Sequence, residues 1–293
     1  VSGGADPGRA LHASLSLLAG RPTGRAAGIA LTRTGRPPGE APPLLLVHGL
    51  GSARTVWAAM LAPLAERFDV VAADLPGHGE SEPLPPGGPR QASPAALAGR
   101  LAAACAALGL DRPHLMGNSL GGWIGLELAA DGRLASCTAL APAGLRARPG
   151  RPGRWLRVNR RLALLTGDLA DPLLASSAVR RLTLASASTH PERLDADLVR
   201  AAARAVRRAS GYEVVLAAAT GLRFARRDAI DVPVTVVFGD TDRILPGPGD
   251  RYRDAVPGHT RWIVLPDCGH APMWDAPQAC LRLLETETIA ATR

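Results

Sequence analysis

Lysine is missing from this 293-residue chain, so its formal net charge of +8 rests wholly on arginine. Together with the wealth of alanine, glycine and proline, that bias matches coding from a GC-rich genome. It weakens any reading of the charge as a functional signal. Aromatic residues make up only 3%. No basic run is interleaved with aromatics that would stack on bases, which argues against a nucleic-acid partner. No run of about 18 apolar residues occurs, so no membrane span is expected, and no membrane partner. The stretch 11–19 is apolar but short, and it contains His12 and two serines. It lacks a charged leader and reads as part of the working chain, not as a signal peptide. The four cysteines, Cys105, Cys137, Cys268 and Cys280, show no metal-binding spacing. They read as small buried residues in a reducing, cytoplasmic compartment. There is no His-x-x-x-His helix, no dinucleotide fingerprint and no P-loop, so neither a metal nor a cofactor is expected.

What is present is a set of short apolar runs, each followed by a polar cluster. Strands are predicted at 28–33, 44–47, 70–73, 114–116, 134–141, 234–238 and 262–265, with helices over 56–65 and 94–108. Residues 1–26 are polar and Gly/Pro-rich in parts and are expected to be loosely held. Strands alternating with helices predict an α/β class with a mostly parallel, doubly wound sheet. The polar clusters then gather at the carboxyl ends of the strands, where open parallel sheets bind their ligands. His48-Gly49-Leu50-Gly51 is one cluster, and Asp74-Leu75-Pro76-Gly77-His78 is another. Gly239-Asp240-Thr241-Asp242 and Gly269-His270 are two more.

The cluster with the most chemistry is Gly117-Asn118-Ser119-Leu120-Gly121, which spells G-x-S-x-G between an apolar strand end and an amphipathic helix start. A serine on so sharp a turn is forced outward, and the flanking glycines allow the chain to bend. A serine hydroxyl needs a base in reach, and the base needs an orienting acid. With the order Ser, Asp, His, the chain resembles the α/β-hydrolase superfamily from about Ala27 to the C-terminus, most weakly in the middle third.

That resemblance implies Ser119 as nucleophile and His270, in Gly269-His270-Ala271-Pro272, as base. Two aspartates compete for the acid. Gly239-x-x-Asp242 followed by Ile244-Leu245-Pro246 fits the family pattern, so Asp242 is chosen and Asp240 is expected to shape the turn. The oxyanion donors implied are the N–H groups of Leu50 and Leu120, with His48 and His78 steadying the loops beside them. The pocket is expected to take in Gly49, Gly51 and Asn118. Trp123, Trp155 and Trp274 are its possible walls, with Trp123 read as helix packing ahead of substrate contact.

Residues 145–228 break the alternation and look helical, with 17 arginines against seven carboxylates. By resemblance they form a helical cap over a core made of 1–144 and 229–293. Most of these arginines are read as solvated helix faces, with one of Arg157, Arg160, Arg161, Arg223, Arg226 or Arg227 placed to meet a substrate carboxylate. The activity implied is hydrolysis of a small-molecule ester, lactone or thioester through an acyl-enzyme. Three alternatives stay open: a cyclase or acyltransferase, a C–C bond hydrolase, and a ligand-binding member without turnover.

Overall fold

The computed structural model describes residues 6–85, 87–146, 154–247 and 251–291, with the side chains of 154–155 and 287–291 outside the description. The first half runs α1 (Pro7–Ala19), β1 (Gly24–Ala26), β2 (Ile29–Gly35), β3 (Pro43–Val47), α2 (Ala58–Ala65), β4 (Asp69–Ala73), α3 (Pro94–Ala107), β5 (His114–Asn118), α4 (Leu120–Ala130) and β6 (Ser136–Leu140). Four helices follow: α5 (Arg154–Thr166), α6 (Ser177–Leu184), α7 (Ala196–Arg208) and α8 (Tyr212–Ala219). The chain closes with β7 (Val234–Gly239), β8 (Arg261–Leu265), α9 (Pro272–Asp275) and α10 (Pro277–Ala291).

The eight strands form one sheet in the order β1-β2-β4-β3-β5-β6-β7-β8. The pairs β1–β2 and β2–β4 are antiparallel, and the rest are parallel. The apolar runs pack both faces at once, as parallel strands covered by helices must. Leu45 and Val47 of β3 point into one buried cluster with Leu115 and Ile124, and Leu44 and Leu46 point into the other with Leu61 and Met116. The register aligns the strand ends, pairing Val47 with Gly117, Asn118 with Leu140 and Gly239 with Leu265. One edge therefore carries all five polar clusters.

Two elements depart from expectation. Residues 7–19 form α1, capped by the Asp6 side chain on the Gly8 N–H, with Leu15 and Leu18 buried beside Leu61 and Leu64. The reading of a loosely held start missed these two leucines, which are enough to dock one helical face. The edge strand β1 is only three residues long and leaves no periodicity to read. Among the described residues, no helix is long and apolar enough to cross a membrane. All four cysteines are buried, and burial pushes the Cys105 thiol up to about 11 and Cys280 up to about 12.

Between β6 and β7 the described residues contain helices and no sheet strand. This insertion is not detached from the sheet. Val215 and Ala218 of α8, with Phe224, belong to the same buried cluster as Leu45 and Leu115. The Gly211 N–H donates to the Gly77 carbonyl (2.9 Å), and a Cβ on Gly77 would meet the Gly211 backbone at 2.8 Å.

The loops below it are locked by a buried ion pair. Arg54 and Asp74 have side chains 2% and 0% exposed and are bonded to each other. Asp74 also accepts the N–H groups of Arg54 (2.7 Å) and Glu80 (2.9 Å), while Arg54 reaches Thr32 Oγ1 and the Gly20 carbonyl. Removing one member of a buried pair leaves the other charged and unpaired, at a cost of about 3–5 kcal/mol. Asp74→Ala is thus expected to lower the melting temperature by roughly 10 °C. An unchanged melting curve would show that the pair is not a keystone of these loops.

Candidate active site

Ser119 stands at the junction of β5 and α4 with φ +55° and ψ −111°, a conformation that side-chain-bearing residues rarely hold. The crossing of β5, α4 and β3 forces it there. A Cβ on Gly117 would collide with the Gly121 carbonyl, and one on Gly121 with the Val47 carbonyl. The Ser119 N–H is fixed on Leu140 O (2.8 Å), and its own carbonyl accepts the N–H groups of Trp123 and Ala143. Both backbone groups of Ser119 are thus bonded, and the residue lines the cavity.

His270 follows β8 and meets Asp242, which follows β7. Its Nδ1 donates to Asp242 Oδ2 at 2.9 Å. Asp242 is 3% exposed, and its other oxygen accepts Ile244 N–H (2.8 Å) and Leu245 N–H (2.9 Å). Burial alone would raise this carboxyl. The neighbouring His270, by charge and hydrogen bond, and the two N–H donors outweigh it and hold Asp242 below the ordinary carboxylate range. Asp240 makes a different contact: its Oδ1 accepts the Cys268 N–H (3.2 Å) and so shapes the loop. The His270 carbonyl is held by Asn118 Nδ2 (3.0 Å).

A third carboxylate, Asp275, escaped the sequence reading. It accepts the Gly269 N–H (2.7 Å) from one side and Ser188 Oγ (2.5 Å) and the Thr189 N–H (3.0 Å) from the other. The Ala271 N–H donates to Ala187 O (2.8 Å), and Thr189 bonds Thr241 through their hydroxyls. Residues 187–189 of the insertion are therefore fastened to both loops that bear Asp242 and His270. No local pattern announces this, because the partners lie far apart in the chain.

His48 and His78 are buried, with ring centroids 5.5 Å apart. His48 Nε2 accepts the Leu75 N–H (2.9 Å), so Nδ1 carries the proton and donates to Gly49 O (2.7 Å). This holds the 48–51 loop to the Asp74 loop. The N–H groups of Leu50 and Leu120 have no acceptor among the described residues, and both residues line the cavity. Burial pushes His48 down to about 4 and His78 down to about 3. The unfolded chain would take up these protons near 6.5, so the stability they confer is complete above pH 6.5 and lost as pH falls towards about 4 and 3. Melting temperature is expected to drop over that interval, and His48→Gln with His78→Gln should flatten the drop. The same acid slope in the double variant would assign it to other groups.

A family model for the alpha/beta hydrolase fold matches residues 42–277. The chain belongs to this family. The RutD protein of Klebsiella pneumoniae, which bears a carbamate hydrolase name, is 33% identical over 242 residues, covering 79% of this chain and 85% of that one. The dihydrolipoyllysine-residue acetyltransferase component of an acetoin-cleaving system from Cupriavidus necator is 37% identical over 114 residues. That match spans 38% of this hydrolase but only 29% of the acetyltransferase component. Among solved structures, a bacterial membrane phospholipase A shares the fold with a TM-score of 0.72, over 98% of this chain and 93% of its own, at 24% identity.

The α/β hydrolase has a cavity of about 780 Å³ at the strand edge. Ser119 and His270 both line it, as do Gly49, Gly51, Asn118, Trp123 and Trp274. Trp123 is also helix packing: it is buried, and its indole N–H donates to Glu127 Oε1 (3.0 Å). The side chain of Trp155 lies outside the described residues. Of the six arginines singled out, only Arg160 lines the cavity, and it is already engaged with Val206 O and the Tyr212 ring. Arg226 is engaged by Asp131 and Glu127 on the sheet side, and Arg157 pairs with Glu213. Arg146 and Arg207 line the cavity and were not singled out, Arg207 being held by Asp168 and Asp171. Most of the wall is leucine, valine and alanine, and most of its residues come from the insertion.

Proposed function

We propose that this α/β hydrolase is a serine hydrolase of carboxylic esters, lactones or thioesters, working through an acyl-enzyme, with the 145–228 insertion as its cap. One observation carries the reading. The bonded Asp242–His270 pair opens on the same cavity as a serine held in a strained strand-to-helix turn.

In this reading His270 Nε2 takes the proton as Ser119 Oγ attacks the carbonyl carbon. The ionised Asp242 keeps Nδ1 protonated and stabilises the imidazolium. The tetrahedral oxyanion is met by the N–H groups of Leu50 and Leu120, the latter at the positive end of α4. The imidazolium returns its proton to the departing alcohol or thiol, and water then releases the acid by the same base. The carbamate hydrolase name of the RutD relative points to a neighbouring carbonyl class that these groups would serve equally. The apolar wall supports a substrate with a sizeable hydrocarbon part, and the insertion supplies most of that wall.

A series of p-nitrophenyl esters tests this. Turnover is expected, with kcat/KM rising as the acyl chain lengthens, by at most about 0.8 kcal/mol for each methylene buried. Intact-mass measurement should find an acyl adduct on Ser119. A chain that hydrolyses none of these esters, lactones or thioesters would sink the proposal.

A further inference from the structure

The insertion leaves a row of leucines in water. Leu165, Leu169 and Leu182 are 84%, 91% and 80% exposed, and Leu162 and Leu173 are more than half exposed. Single exposed leucines are ordinary, but five along α5, the stretch 167–175 and α6 form an apolar fringe that calls for an occupant. Leu162, Leu173 and Leu182 also line the cavity over Ser119, so the fringe is the rim of that cavity. Leu165 and Leu169 lie between Leu162 and Leu173 in the chain and carry the fringe outward.

Charge accompanies it. The insertion has 17 arginines against seven carboxylates. Arg161 is exposed on α5, and Arg157 and Arg181 have side chains 52% and 69% exposed. The ion pairs that Arg157 and Arg181 make, at 3.7 Å each, are solvent-facing and weak.

We infer that this fringe docks the enzyme on an anionic lipid surface, leucines in the acyl boundary and arginines among the headgroups. The cavity then draws its substrate from the lipid phase, a use that rests on the hydrolase reading above; the docking itself does not. A second copy fits the fringe poorly, because it would bring the same arginine excess against itself. The inference replaces the expectation of no membrane partner, which rested on the lack of a spanning segment. Interfacial docking needs none.

The test uses Ser119→Ala, so that no lipid is consumed, and co-sedimentation with vesicles. The chain should sediment with vesicles of phosphatidylcholine mixed with phosphatidylglycerol, and less with phosphatidylcholine alone. Added salt should weaken the binding. Leu165→Asp with Leu169→Asp should lower partition about tenfold or more. Neither side chain lines the cavity. With Ser119 intact, the double variant should therefore hydrolyse a water-soluble acetate ester as the parent does. Absence of sedimentation with either vesicle, or equal partition of the variant, overturns the docking. Equal binding to both vesicles overturns the role of the arginines. A parent dimer that the double variant disperses in analytical ultracentrifugation gives the fringe to a second copy instead. Soluble-ester turnover without vesicle binding leaves the hydrolase reading standing; vesicle binding without any turnover leaves only the docking.

Discussion

Ser119→Ala is expected to lower kcat on any accepted ester by about 10⁴ or more, and to abolish labelling by a fluorophosphonate probe. The loss is large because the covalent step disappears while the cavity and the two N–H donors remain. Those remnants still bind substrate and stabilise an oxyanion, so a residue of activity over water survives. The comparison is clean in structural terms. Alanine carries the same Cβ at φ +55°, and the turn is held by backbone bonds to Leu140, Trp123 and Ala143, not by the hydroxyl. Circular dichroism and melting should match the parent. Near-parental turnover by the folded variant would mean that the chemistry runs without this serine.

Asp242→Asn is expected to cost about 10³–10⁴ in kcat, and Asp240→Asn far less. An asparagine at 242 still offers an oxygen to Ile244 and Leu245, so the loop is expected to persist. What it cannot do is accept from His270 Nδ1 with both oxygens occupied as now. Its amide group faces the ring as a donor, and the imidazole is pushed to the wrong tautomer. At 240, among the described residues, the wild-type side chain accepts the Cys268 N–H, a bond that asparagine keeps. The two variants should be compared on one soluble ester at one pH. If Asp240→Asn proves the more damaging, the acid role moves to Asp240.

The sheet was legible because its central strands are buried on both faces. Leu44-Leu45-Leu46-Val47 and Val234-Thr235-Val236-Val237-Phe238 read as apolar runs for that reason alone. The turn at Ser119 was legible because its glycines have no room for a Cβ. The choice between Asp240 and Asp242 rested on a spacing; in the folded chain Asp242 bonds the His270 ring and Asp240 the Cys268 N–H. Other features left no trace in the sequence. Asp275 joins residues about 80 positions apart, and Arg54 finds Asp74 across two strands. The packing of Val215 and Phe224 against the sheet was missed because the insertion was read as a separate layer. Those facts are tertiary, and only the folded chain brings their partners together.

Asp275 also bears on how this enzyme could be rebuilt. A new substrate choice invites exchange of the helices between β6 and β7, with splice points chosen where the chain leaves and rejoins the sheet. Such a graft would match both junctions and still fail. The carboxylate of Asp275 reaches Ser188 and Thr189 inside the exchanged piece while it grips the Gly269 N–H beside His270. A replacement must bring a hydroxyl and an N–H to that same spot, or the loop that bears His270 loses one of its anchors.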